Sequence, residues 1–115
     1  MSRNQWALDA GNEYDDLRKL EAEHLWFNDA ESHEVDIIRK VCPFTMTSPG
    51  RILTLLHAVQ YVVSNKIPGD FVECGVWRGG SSMAMGLMLL TLGDKERNIY
   101  LYDTFAGMPL PTEFD

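Results

Sequence analysis

The stretch between Asp70 and Asp103 constrains this chain most. Asp70-Phe71-Val72-Glu73-Cys74 is short, has an apolar middle and is bounded by turn residues, which suits a buried parallel strand. Gly75-Val76-Trp77-Arg78-Gly79-Gly80-Ser81-Ser82 follows. Met83 to Leu92 is then apolar nearly all round, the pattern of a helix buried on most sides, with methionine filling irregular gaps. Gly93-Asp94 ends it, and Asn98-Ile99-Tyr100-Leu101-Tyr102-Asp103 reads as a second buried strand that finishes in a carboxylate. Strand, glycine loop, helix and strand make a βαβ unit with a right-handed crossover, which puts the chain in the α/β class. Beyond Asp103 the pattern predicts only a proline-containing loop, Thr104 to Asp115.

Upstream, Ser48-Pro49 is an N-cap with proline in the first helical position. Ile52, Leu55, Leu56, Val59, Val62 and Val63 follow as one apolar stripe, and the helix must stop before Pro68, after which Gly69 turns the chain. His57 lies between stripe residues without a partner in sequence and reads as structural. A shorter helix is expected over about 32–41, capped by Ser32, with Val35, Ile38 and Val41 inward. Leu17, Leu20, His24 and Phe27 share one face of a helix over 13–27, with Asp15 and Asp16 near its start. His24 and His33 lack metal-ligand spacing and read as surface or packing residues. Residues 1–40 carry ten acids against five bases, whereas residues 41–115 carry seven against five. That shift divides the chain into a helical N-terminal segment, 1–41, and an α/β part, 42–115.

The formal net charge of -7 argues against nucleic acid, whose phosphates would be repelled. No apolar run approaches the ~18 residues that span a bilayer. The N-terminus lacks a basic-then-apolar signal pattern, and Cys42 and Cys74 are too few for a disulfide framework. A cytoplasmic protein without membrane or nucleic-acid partners is expected.

In an open α/β sheet, ligands bind beyond the carboxyl ends of the strands. Each predicted strand puts an acid there, Glu73 and Asp103. Between them the glycine loop opens a helix, whose free N–H groups and dipole attract an anion. Gly75 permits close backbone approach, Gly79 and Gly80 permit positive φ and tight packing, and Ser81 and Ser82 can add hydroxyl donors to the same anion. A ligand with a ribose for Asp103 and a small anion for the helix start would fit. A nicotinamide dinucleotide is one such ligand, but its fingerprint is G-x-G-x-x-G, whereas this loop is Gly75-x-x-x-Gly79-Gly80. S-adenosylmethionine is the other: its carboxylate suits the helix start, its ribose Asp103, and its amino group and sulfonium a nearby Glu73.

Three blocks carry a specific resemblance: Thr45-Met46-Thr47-Ser48-Pro49, Pro68 to Ser81, and Tyr102-Asp103-Thr104-Phe105-Ala106-Gly107-Met108-Pro109. Together they resemble the macrocin O-methyltransferase family and, more distantly, methyltransferases of the catechol O-methyltransferase type. The resemblance implies a Rossmann-like class I methyltransferase fold, of which this chain supplies a helical cap and one βαβ unit. It also implies S-adenosylmethionine as cofactor and the sugar hydroxyl of an antibiotic-type small molecule as methyl acceptor. Met46 and Thr47 would lie beside the methionine part, which Glu73, Gly75, Trp77 and Gly79 would line. Ser81 would take its carboxylate, Asp103 the ribose, and Thr104-Phe105 the adenosine; Arg78 would reach a carboxylate or a neighbouring acid. The family's magnesium ligands and deprotonating residues come from a later part of its chains. Neither role is carried onto Glu113 or Asp115, and no catalytic or metal-binding residue is assigned. Besides the small-molecule acceptor, a second copy or a C-terminal half is therefore the expected partner, and residues 1–115 alone are expected to transfer no methyl group. A relic or binding module of the same family is the alternative.

Overall fold

The computed structural model describes residues 29–113. The helix read over 13–27 and the final residue Asp115 lie outside them. The order is helix α1 (Ser32–Val41), a 3-10 turn (Cys42–Phe44), helix α2 (Pro49–Ser64), strand β1 (Phe71–Cys74), helix α3 (Gly80–Leu92) and strand β2 (Ile99–Tyr102). The strands pair in parallel, with Phe71 opposite Ile99, Val72 opposite Tyr100, Glu73 opposite Leu101 and Cys74 opposite Tyr102. The βαβ unit is therefore as expected, each strand slightly shorter than the sequence suggested.

Capping explains where the helices begin and end. In α2, Ser48 Oγ accepts from the Arg51 N–H and Pro49 opens the helix. At its far end the Asn65 side chain donates to the Tyr61 carbonyl, 2.8 Å, and the Ile67 N–H to the Val62 carbonyl, 3.0 Å, before Pro68. Helix α3 ends at Gly93, whose φ of 75° lets the N–H groups of Gly93 and Asp94 fold back on Leu90 and Leu89. Helix α1 corrects one expectation: its cap is Glu31, not Ser32. Glu31 and Glu34 exchange side-chain and backbone bonds as a capping box, a role carboxylates fill well near the positive helix end.

The three helices share one core. Ile38 and Val41 of α1, Ile52, Leu56 and Val59 of α2, and Met88 of α3 are all fully buried within it. Burying each such side chain stabilises the fold by about 1.5–3 kcal/mol. Ile37, absent from the sequence-predicted stripe, is buried as well, whereas Val35 is only half-buried.

The sheet departs from expectation in burial. Helix α3 covers one face, and Ile99 Cδ1 lies within ordinary contact distance of where a side chain on Gly86 would begin. The opposite face, carrying Val72, Tyr100 and Tyr102, is exposed. A two-stranded parallel sheet buries both faces only when elements pack on both sides, and helices stand on one side alone among the described residues. Helix α3 is likewise buried through Ala84, Met85, Met88 and Leu89 but exposes Met83 and Leu90.

Candidate functional site

At the carboxyl end of the sheet, the Gly75 N–H donates to the Tyr102 carbonyl, 2.8 Å, extending the β1–β2 pairing by one bond. The chain then leaves the sheet through three left-handed residues: Gly75 (φ 81°), Trp77 (φ 51°) and Gly79 (φ 84°). Glycine adopts this conformation without penalty, but tryptophan does so only where its surroundings impose it. Asp103 holds this turn from the end of the neighbouring strand. Its Oδ2 accepts the Val76 N–H at 2.6 Å and the Trp77 N–H at 3.4 Å. Its Oδ1 accepts the Phe105 N–H at 3.0 Å and the Thr104 hydroxyl at 3.4 Å. The backbone bond from Val76 is the main cause that holds the Asp103 carboxyl below its ordinary 3.8, followed by that from Phe105.

Gly80 acts by space. A Cβ there would lie 2.6 Å from both the Phe44 carbonyl oxygen and Thr45 Cβ, so only glycine lets the start of α3 press against this segment. Thr45 is itself buried and its Oγ1 accepts the Thr47 N–H at 3.2 Å. The Thr45–Thr47 turn and the glycine loop are thereby brought side by side, although 35 positions separate Thr45 from Gly80.

Glu73, the last but one residue of β1, is half-buried, and its Oε2 accepts the hydroxyl of Ser82. Ser82 was expected to face an anion at the helix start beside Ser81; its hydroxyl instead turns to Glu73. The signal that separates the two serines is helical phase, since Ser82 stands on the buried face with Met85 and Leu89 while Ser81 is half-exposed. Met46, Trp77, Thr104 and Phe105 are exposed around this end. The Arg78 guanidinium stacks over the Trp77 ring, 4.9 Å from its centre. The structure thus brings the glycine loop, Glu73, Asp103 and the Thr45–Thr47 turn to one end of the sheet.

Sequence reading missed a polar contact inside the helical layer. Glu34 is buried, and its Oε1 lies 3.0 Å from His57 Nε2. His57, read as lacking a partner, fastens α2 to α1. His33 lies 3.3 Å from Glu31 at the cap. Among the described residues, no group of three or more His, Cys, Asp or Glu comes together as a cation site, and no helix is long and apolar enough to cross a membrane.

The family model for macrocin O-methyltransferases (TylF) matches residues 12–115. The 8-demethyl-8-(2,3-dimethoxy-alpha-L-rhamnosyl)-tetracenomycin-C 4'-O-methyltransferase of Streptomyces olivaceus is 45% identical over 65 residues, 56% of this chain and 25% of that protein. The demethyldecarbamoylnovobiocin O-methyltransferase of Streptomyces niveus is 37% identical over 65 residues, with the same coverage of 56% and 25%. The mycinamicin III 3''-O-methyltransferase of Micromonospora griseorubida is 34% identical over 71 residues, 62% of this chain and 28% of its own length. The matched stretch therefore spans about a quarter of these relatives. Among solved structures, the O-methyltransferase NovP superposes with a TM-score of 0.57 at 29% identity, covering 86% of this chain and 44% of that one. With the parallel βαβ unit, this likeness establishes part of a Rossmann-like methyltransferase fold.

Proposed function

The chain belongs to the macrocin O-methyltransferase family, and from that premise we propose that residues 45–105 form the cofactor-binding part of an S-adenosylmethionine-dependent O-methyltransferase acting on a sugar hydroxyl of an antibiotic-type small molecule. One observation carries the reading: two carboxylates, Glu73 and Asp103, stand at the ends of adjacent parallel strands around a glycine loop pinned by Asp103 itself. A nucleoside with an amino-acid tail has complementary groups for each part. Asp103 is exposed, and two of its four donors sit at 3.4 Å, a loose hold that vicinal ribose hydroxyls can replace. Ser81 and the free N–H groups of the first turn of α3 suit the tail carboxylate. Glu73 suits its ammonium group, Met46, Thr47, Gly75, Trp77 and Gly79 its methionine chain, and Thr104-Phe105 the adenosine.

When bound, S-adenosylmethionine supplies an electrophilic methyl on a sulfonium sulfur. The contribution of these residues is orientation, since a fixed cofactor turns an encounter of two molecules into a reaction between aligned groups. Among the described residues no three His, Cys, Asp or Glu side chains come together, so the set of oxygen ligands magnesium requires is not found among them. By their names the relatives above act on a rhamnosyl-tetracenomycin, on demethyldecarbamoylnovobiocin and on mycinamicin III, and the acceptor is proposed to be a small molecule of that kind.

Calorimetric titration of the chain with S-adenosylhomocysteine tests the reading. One-site binding, competed by S-adenosylmethionine and not by a nicotinamide dinucleotide, is expected. Preference for the dinucleotide, or binding of neither, would overturn it.

A further inference from the structure

Ser82 sends its hydroxyl out of its own helix to an acid on the neighbouring strand. A hydroxyl within a helix commonly donates to the carbonyl four residues back. Two threonines of this chain do so: Thr54 to the Gly50 carbonyl at 3.0 Å and Thr91 to the Leu87 carbonyl at 2.9 Å. Ser82 stands in the first turn of α3, where the residue four back, Arg78, precedes the helix, and its hydroxyl is free to leave the helix: it donates to Glu73 Oε2, nine positions earlier and on another element. The residue is buried, on the face of α3 that packs into the fold. Glu73 is half-buried, and among the described residues no lysine, arginine or histidine pairs with it. A carboxylate has two oxygens and accepts only. One oxygen of Glu73 is held by a neutral donor, and the other meets no cation among the described residues.

We propose that Ser82 is the positioning residue of Glu73, fixing its carboxylate as the receptor for the ammonium group of the cofactor's amino-acid end. The inference rests on the cofactor reading above and adds how the acid is held. The terminal torsion of a glutamate is broad and poorly fixed by its own rotamer. A buried hydroxyl on a rigid helix supplies the missing restraint, and it does so without the positive charge that would compete with a cationic ligand. Arginine or lysine in that place would fix the acid equally well and cancel it.

Two ligands separate the ends of the site. S-adenosylhomocysteine carries both nucleoside and amino acid; methylthioadenosine keeps the nucleoside and sulfur and lacks the amino-acid end. In calorimetric titrations of the chain, Ser82→Ala is expected to weaken S-adenosylhomocysteine about tenfold and to leave methylthioadenosine within about twofold. Ser82→Thr, which keeps the hydroxyl, restores the preference. Glu73→Gln weakens S-adenosylhomocysteine to a similar degree, and adding Ser82→Ala in that background has no further effect, because both act through one carboxylate. Equal weakening of both ligands by Ser82→Ala and by Ser82→Thr would overturn the proposal, as would no change in either or fully additive losses in the double variant. If Ser82→Ala abolishes all binding, Ser82→Thr and Glu73→Gln decide: the threonine must keep the preference and the glutamine lose it, and any other pairing overturns the role. A wild-type chain that binds neither ligand defeats the cofactor reading itself, and this role with it. One that binds both while Ser82→Ala is neutral defeats the positioning role alone.

Discussion

The two ends of the sheet use the same residue types in opposite ways. At the amino end, Asp94 is held by the Arg97 guanidinium at 2.9 Å, and Arg97 also donates to the Gly69 and Ile67 carbonyls and lies over the Phe71 ring. Asp70 accepts the Asn98 N–H at 2.9 Å, tying the entry of β1 to that of β2. Partial burial would push the Asp94 carboxyl up, but the bond from Arg97, with those from the Glu96 and Arg97 backbone and the guanidinium charge, holds it below 3.8. At the carboxyl end, Asp103 and Glu73 receive only N–H and O–H donors, with no cation among the described residues. At the amino end the Asp94 charge is met by Arg97, while Asp70 is held by the Asn98 amides. At the carboxyl end neither Glu73 nor Asp103 pairs with a cation among the described residues, which leaves their oxygens to hydrogen-bond donors.

Four experiments strain that contrast, the largest effect first. Gly80→Val drives a branched side chain into Phe44 and Thr45, where even a Cβ lies at 2.6 Å. It should destabilise the chain by about 3 kcal/mol in chemical denaturation and abolish ligand binding. Stability close to wild type would mean that the loop and the Thr45–Thr47 turn are not locked together. Asp103→Ala should weaken S-adenosylhomocysteine about 100-fold by removing two charge-assisted acceptors, with Asp103→Asn losing less. Unchanged affinity would remove Asp103 from the ribose assignment and leave it as a loop clamp.

Arg97→Ala tests the other end. It strips the partner from Asp94 and two carbonyls, so Tm should fall by about 5 °C while affinity for S-adenosylhomocysteine stays as in wild type. A loss of affinity larger than the loss of stability would show that the two ends are coupled. The smallest effect is that of pH. A carboxyl whose value is lowered in the folded chain stabilises it above the ordinary 3.8, and that contribution is lost as pH falls through the lowered value. Tryptophan emission should therefore hold steady down to about pH 4 and change only below it. Asp103→Asn should remove the part of that transition that Trp77 contributes through Asp103 and leave the rest of the emission, which includes that of Trp6 and Trp26. Identical curves for the two proteins would mean that Trp77 does not report on Asp103.

Much of this was legible in the residues. The βαβ unit follows from three local facts: two short apolar segments, an apolar helix between them, and glycines at both joints. Ser48-Pro49 and Pro68 bracket α2 by backbone chemistry that any neighbour would leave intact. The placing of Glu73 and Asp103 at one end also follows from sequence, because parallel pairing forces two strand termini to the same side. Harder to read was which oxygen meets which hydrogen. By residue type Ser32 is the natural cap, and only the capping box between Glu31 and Glu34 moves the helix start back by one residue. Ser81 and Ser82 are adjacent and chemically identical, and only the packing of α3 sends one hydroxyl into the interface with Glu73.

Sequence by itself determined the class of fold, the order of its elements and the acids at the strand ends, since these depend on periodicity, backbone preference and chain direction, all local properties. Tertiary structure alone decided three things. It paired His57 with buried Glu34 across two helices. It left the Val72–Tyr100–Tyr102 face exposed, because burial is a property of what packs against a strand and not of the strand's own composition. And it turned Asp103 from a residue waiting at a strand end into the clamp that gives Val76 and Trp77 their shape. The reason is the same in each case: a hydrogen bond or a buried face belongs to two surfaces brought together from distant parts of the chain, and neither carries the signature of the other.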